Sequence, residues 1–159
     1  MCLTKYHAFF PMYSKEGKDV TRLISSDGSM DSAPICIQNF TRQFLAIYHL
    51  DMPTLQYWSK ELLKYKIHIP LVITHEYSYI PVKVREVYSE NDKPFGYFLV
   101  SAIADYEDFS ITLTSGEKIP VLSTKAYMNM KLRDAKLLSY DYHLHRYPLD
   151  FMRPSIAYE

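Results

Sequence analysis

Across the middle of the chain the apolar positions recur every second residue, and this pattern limits the fold more than any other feature. Within residues 79–87, Ile80, Val82 and Val84 share one face of an extended chain, and Lys83 and Arg85 share the other. Residues 69–74 read as a largely apolar strand. Asn91-Asp92-Lys93-Pro94 marks a turn, and residues 95–103 follow as a buried strand. Residues 109–114 and 118–122, joined by Ser115-Gly116-Glu117, have the layout of a hairpin with a short glycine-containing turn. So many short strands must pair into a sheet.

The first half mixes periods. Residues 6–13 form a short aromatic segment that Pro11 marks as an edge strand. Residues 20–25 read as a second strand, ending at the Ser26-Asp27-Gly28 turn. Apolar residues at 37, 40, 44, 45 and 48 then fit a helix. Asp51 is placed to cap a second helix with Pro53 in its first turn and an apolar face of Leu55, Trp58, Leu62 and Tyr65. Ser123 or Thr124 caps a last helix running to about Tyr140. The expected fold is therefore α+β: one domain with a central, mostly antiparallel sheet, two helices in the N-terminal half and one C-terminal helix. The aromatic, proline-punctuated tail from about His143 is left unassigned.

The last helix has two faces. On a wheel of about 100° per residue, Met128, Leu132, Ala135 and Tyr142 fall together. Lys125, Asn129, Arg133, Lys136 and Tyr140 fall within a separate arc of about 80°. Lys131 and Asp134 lie outside that arc. The basic arc suits phosphate and base-edge contacts, to which Lys83 and Arg85 could add. The plainer reading is a solvated helix face. Lys+Arg and Asp+Glu balance at eighteen each, which withholds the basic excess usual in a nucleic-acid binder and puts the weight on local placement.

No catalytic motif stands out: there is no glycine-rich phosphate loop, no G-x-S-x-G elbow and no H-E-x-x-H pair. Asp105, Glu107 and Asp108 read as a solvated turn rather than paired catalytic carboxylates. His143 and His145, beside Asp141, could on a strand share a metal ion, but ordinary surface histidines are the simpler account, and no cofactor is expected. Cys2 and Cys36 with no leader ahead of them suggest a reducing compartment, and no apolar run reaches the roughly 20 residues that cross a bilayer. A cytoplasmic protein with no membrane partner is expected.

Several runs in fixed order carry a resemblance. Pro70-Leu71-Val72-Ile73 is followed by Tyr79-Ile80-Pro81-Val82, then by the run from Lys93-Pro94-Phe95-Gly96 to Val100, then by the hairpin from Ile111 to Ser123 and a tyrosine-bearing helix. Together, over about residues 8–140, these resemble the ComK family, competence transcription factors of Gram-positive bacteria. The resemblance implies a single ComK-like domain over 1–159. It also implies a non-enzymatic regulator that binds AT-rich, double-stranded promoter DNA through the minor groove, as a dimer or higher oligomer, under the control of proteolytic adaptors. The family's Ser-Cys, Gly-Ser-Ser and Gly-Arg elements have no counterpart between Arg42 and Gln56. An interaction module of the same fold that has lost DNA binding and modulates another regulator is therefore the second expectation. Lys125, Asn129, Arg133, Lys136, Lys83 and Arg85 are candidate DNA contacts by spacing, not by family correspondence.

Overall fold

The computed structural model describes residues 6–146. Its main element is a six-stranded antiparallel sheet of order β3-β2-β1-β6-β5-β4. The strands are β1 (Tyr6–Tyr13), β2 (Asp19–Ser25), β3 (Met30–Ala33), β4 (Leu71–Val72), β5 (Ser78–Lys83) and β6 (Phe95–Leu99). Two helices, α1 (Ile37–Ile47) and α2 (Met52–Leu63), lie between β3 and β4 in the chain. A three-stranded antiparallel sheet follows, β7 (Ile103–Glu107), β8 (Ser110–Leu113) and β9 (Lys118–Pro120), and then α3 (Lys125–Asp141). The α+β class and the placement of all three helices are as the sequence predicts.

The period-two pattern becomes a two-sided sheet. Phe9, Leu23, Tyr79 and Leu99 pack on one face, against Ile37, Phe44 and Leu45 of α1 and Leu55 of α2. Their chain neighbours Ala8, Ile24, Ile80 and Phe98 pack on the other, against Ile111, Leu113 and Ile119 of the small sheet and Met128 and Ala135 of α3. Because successive strand side chains point to opposite faces, the central strands are apolar at consecutive positions and the sheet is covered on both sides.

Several boundaries differ from expectation. β1 is a central strand, between β2 and β6, rather than an edge. Pro11 is tolerated because the β1–β6 ladder pairs only Ala8 with Phe98 and Phe9 with Tyr97, and so ends before it. Residues 95–103 are not one strand: a tight helical turn at Val100–Ala102 moves the chain from the large sheet to the small one. Only Leu71–Val72 of the expected strand at 69–74 is extended in a ladder. Asp51 caps α2 as predicted, its carboxylate accepting the Thr54 N–H at 2.8 Å. Leu62, assigned to that helix's apolar face, is instead exposed. Of the tail from about His143, residues 143–146 continue in a helical turn after α3 and the rest lies outside the described residues.

Candidate nucleic-acid interface

Thr124 starts α3, its hydroxyl accepting the Tyr127 N–H, and Asp108 adds a carboxylate that accepts the Lys125 N–H at 2.7 Å. Both satisfy N–H groups that a helix leaves open at its first turn. Asp108 lies in the β7–β8 connection, so the hairpin and the helix start are tied together. Phe109 beside it takes a left-handed φ of 67°, as a tight hairpin turn requires. Asp105 and Glu107 belong to strand β7 rather than to a turn.

The helix presents the predicted stripe. Lys125, Asn129, Arg133, Lys136 and Tyr140 are all exposed, whereas Met128, Ala135 and Tyr142 are buried. At about 1.5 Å per residue, Lys125 to Lys136 spans roughly 16 Å of helix, enough to follow several phosphates. Its charges are not unopposed. Lys125 Nζ lies 3.7 Å from Glu107 Oε2 and faces the Tyr106 ring at 5.8 Å. Tyr106 donates its hydroxyl to Asn129 Oδ1, leaving the two amide N–H donors of Asn129 outward. Arg133 reaches Asp134 Oδ1 at 3.3 Å. Lys136 makes no hydrogen bond or ion pair among the described residues.

Lys83 and Arg85 do not share a strand face, because β5 ends at Lys83. Lys83 is partly exposed, with Glu86 at 3.5 Å, and its backbone N–H donates to Ser123 Oγ beside the start of α3. Arg85 turns inward. Its side chain is 10% exposed, its guanidinium meets Asp19 Oδ1 at 2.7 Å, covers the Tyr13 ring at 4.2 Å and donates to the Lys93 carbonyl at 3.0 Å. It joins the β1–β2 end of the sheet to the β5–β6 connection and offers little to a duplex.

The helix carries two further features that its basic arc does not show. Met130 and Leu137 are exposed apolar side chains on α3, beside the basic residues and Tyr140. Lys131 and Asp134 are buried, at 4% and 3% exposed. Tyr65 donates its hydroxyl to Asp134 Oδ2 at 2.5 Å, and Lys131 Nζ donates to Tyr65 Oη at 3.2 Å and to the His68 carbonyl at 2.5 Å. This network fixes α3 to the segment that follows α2. Burial, reinforced by Asp134, pushes the Tyr65 phenol well above its ordinary range, and burial lowers Lys131 against the opposing pull of Asp134.

Burial also raises Tyr79 and Tyr127, and pushes Tyr97 up to about 12. These phenols stay protonated in the fold at pH values where an unfolded chain ionises them. Their contribution to stability is complete below about pH 10 and is lost as pH rises through the folded values. Spectrophotometric titration at 295 nm should therefore show the phenols of Tyr65, Tyr79, Tyr97 and Tyr127 ionising only as the far-UV circular dichroism collapses. A single smooth titration of all fifteen tyrosines with the dichroism intact would contradict these burials.

The two histidines that sequence spacing paired do not converge. They lie in the helical turn Tyr142–Arg146, where the His143 ring is 4.9 Å from that of His75 and His145 lies 3.8 Å from Asp141. Among the described residues no group of three metal-ligating side chains comes together, and no helix is long and apolar enough to cross a membrane. Cys36, at the start of α1, is a free thiol. No family model, no curated protein and no solved structure matches the chain.

Proposed function

We propose that this chain is a non-enzymatic, DNA-binding transcriptional regulator of the ComK type, acting in the cytoplasm on AT-rich promoter DNA as a dimer or higher oligomer. Control through a proteolytic adaptor, which the family resemblance implies, belongs to the same proposal. The observation that carries it is the exposure of Lys125, Asn129, Arg133 and Lys136 along one side of α3. Cations and an amide are the groups that a narrow A·T groove attracts, because its negative potential is concentrated. Lys83, beside the helix start, extends the same surface. Arg85 is left out of it, because its charge is committed to Asp19.

The exposed apolar side chains of α3 favour a second reading, in which the same face binds protein and DNA binding has been lost. Met130 and Leu137 are 40% and 48% exposed, more than a purely phosphate-reading helix needs.

Fluorescence polarisation with an AT-rich and a GC-rich duplex, at low and moderate salt, separates the two. The regulator reading expects AT-preferring, salt-sensitive binding. Lys136→Glu should weaken it about tenfold at low salt and reduce the salt slope by about one. Absence of binding at low salt, together with self-association that Leu137→Asp abolishes, would transfer the assignment to the interaction module.

A further inference from the structure

On the sheet face opposite α3, a cavity of about 670 Å³ opens between the helices and the start of β6. Four segments wall it: α1, the α1–α2 turn with the first turn of α2, residues 66–69, and residues 93–97. Its floor and sides are mainly apolar, and Ile67 stands 65% exposed at its edge, an aliphatic side chain left without cover. Three cations, Arg42, Lys66 and Lys93, line it, and none has a carboxylate partner among the described residues; Arg42 donates only to Asn39. The single carboxylate in the lining, Asp51, is engaged as the cap of α2.

One wall is set rigidly. His68 takes a left-handed φ of 53°, stacks on Phe95 with ring centroids 3.9 Å apart, and gives its carbonyl to Lys131 of α3. The cavity is thus formed before anything enters it, which spares a ligand the cost of ordering it. At about 30 Å³ per water-sized group, it has room for roughly twenty such groups. That is the size of a single alkyl chain with a head group. An apolar bowl with an unbalanced cationic rim matches an anion that carries an apolar body.

We propose that this cavity binds a free, single-chain amphiphilic carboxylate, with the chain against the apolar floor and the carboxylate against Lys66, Lys93 or Arg42. The site is independent of the α3 surface and of the DNA-binding reading. A bowl of about 670 Å³ favours a small ligand over a helix from another protein, which needs a longer groove.

The test uses the whole chain and a fluorescent probe, 11-(dansylamino)undecanoic acid, with dodecanoate and dodecanol as competitors below their aggregation limits. Saturable binding at one site is expected, displaced at least tenfold better by the carboxylate than by the alcohol. Lys66→Glu/Lys93→Glu should weaken the probe at least tenfold, and Ile67→Asp should do the same. All three positions are exposed, so urea unfolding should confirm that these variants remain folded. Equal displacement by acid and alcohol, or unchanged binding in both variants, would mean hydrophobic adsorption and overturn the proposal. So would displacement by an acidic amphipathic peptide but not by dodecanoate, which would assign the cavity to a protein partner.

Discussion

Asp134→Ala should cost this protein about 3 kcal/mol or more of stability, although Asp134 lies on a helix whose outer face tolerates charge. The carboxylate is buried, accepts the Tyr65 hydroxyl, meets Arg133 at 3.3 Å and acts on the Lys131 ammonium across that phenol. Without it the Lys131 ammonium stays buried with the Tyr65 phenol, the His68 carbonyl and the Tyr65 and Tyr127 ring faces, but with no carboxylate near it. A buried charge that loses its counter-charge is costly because desolvation is no longer offset. Replacing both charges, as Lys131→Met/Asp134→Leu, should recover most of the loss, since a well-packed apolar pair often equals a buried ion pair. The measurement is urea unfolding, where 3 kcal/mol is a midpoint shift of about 1–3 M at ordinary m values. The pH dependence adds a check. Burial lowers Lys131, so below its folded value the folded state carries a proton at a cost that the unfolded chain does not bear. That cost is relieved as pH rises through the folded value towards the ordinary lysine range, and removing Asp134 deepens it. An Asp134→Ala protein within 1 kcal/mol of the parent, with an unchanged pH profile, would remove the network from any structural role.

How far the sequence reveals this region depends on what is used to read it. Angle alone sorts α3 well: Met128, Ala135 and Tyr142 go inward, and Lys125, Asn129, Arg133 and Lys136 go outward. Lys131 sits only about 60° from Met128 on the same wheel, so its angle assigns it to the core. Its charge is what keeps it from being read there, because its partners Tyr65 and His68 belong to a distant segment. The reverse holds for Met130 and Leu137, whose apolar character hides that their angle faces outward. Arg85 misleads for a third reason. Its alternation with Lys83 assumes a strand that continues, but the strand stops at Lys83, and the side chain then finds Asp19, at the start of β2. Strand β3 has no fully buried residue and touches the core through Ala33 alone, so its hydrophobic signal is weak; it exists mainly through its backbone pairing with β2. The enclosing cavity is less legible still, since its four walls come from separated segments and only the fold brings Arg42, Lys66 and Lys93 to one rim.

Gly96→Ala should be as damaging as the loss of Asp134, for a reason that involves no charge. A Cβ at Gly96 would stand 2.2 Å from Phe10 Cβ and 2.7 Å from Phe10 Cα, where carbon atoms need about 3.5–4 Å. The obstacle is backbone and a Cβ, so no rotamer change relieves it, and β1 must move away from β6. Those two strands meet through only two residue pairs, Ala8 with Phe98 and Phe9 with Tyr97. That short ladder is the seam between the β3-β2-β1 and β6-β5-β4 halves of the sheet. Phe9 at the seam is fully buried and its ring contacts Phe44, Tyr79 and Tyr97, so widening the seam also loosens the core under α1. A loss of about 3–5 kcal/mol is expected, in the range reserved for core disruption. Gly116→Ala supplies the contrast: nothing lies within 4 Å of a Cβ there, and only its φ of +102° is strained, a cost of about 1–2 kcal/mol. Urea midpoints of the two variants should therefore differ clearly. If Gly96→Ala proved as mild as Gly116→Ala, the seam would have to be wider than its ladder implies, and the six strands would behave as two three-stranded sheets held together by their helices.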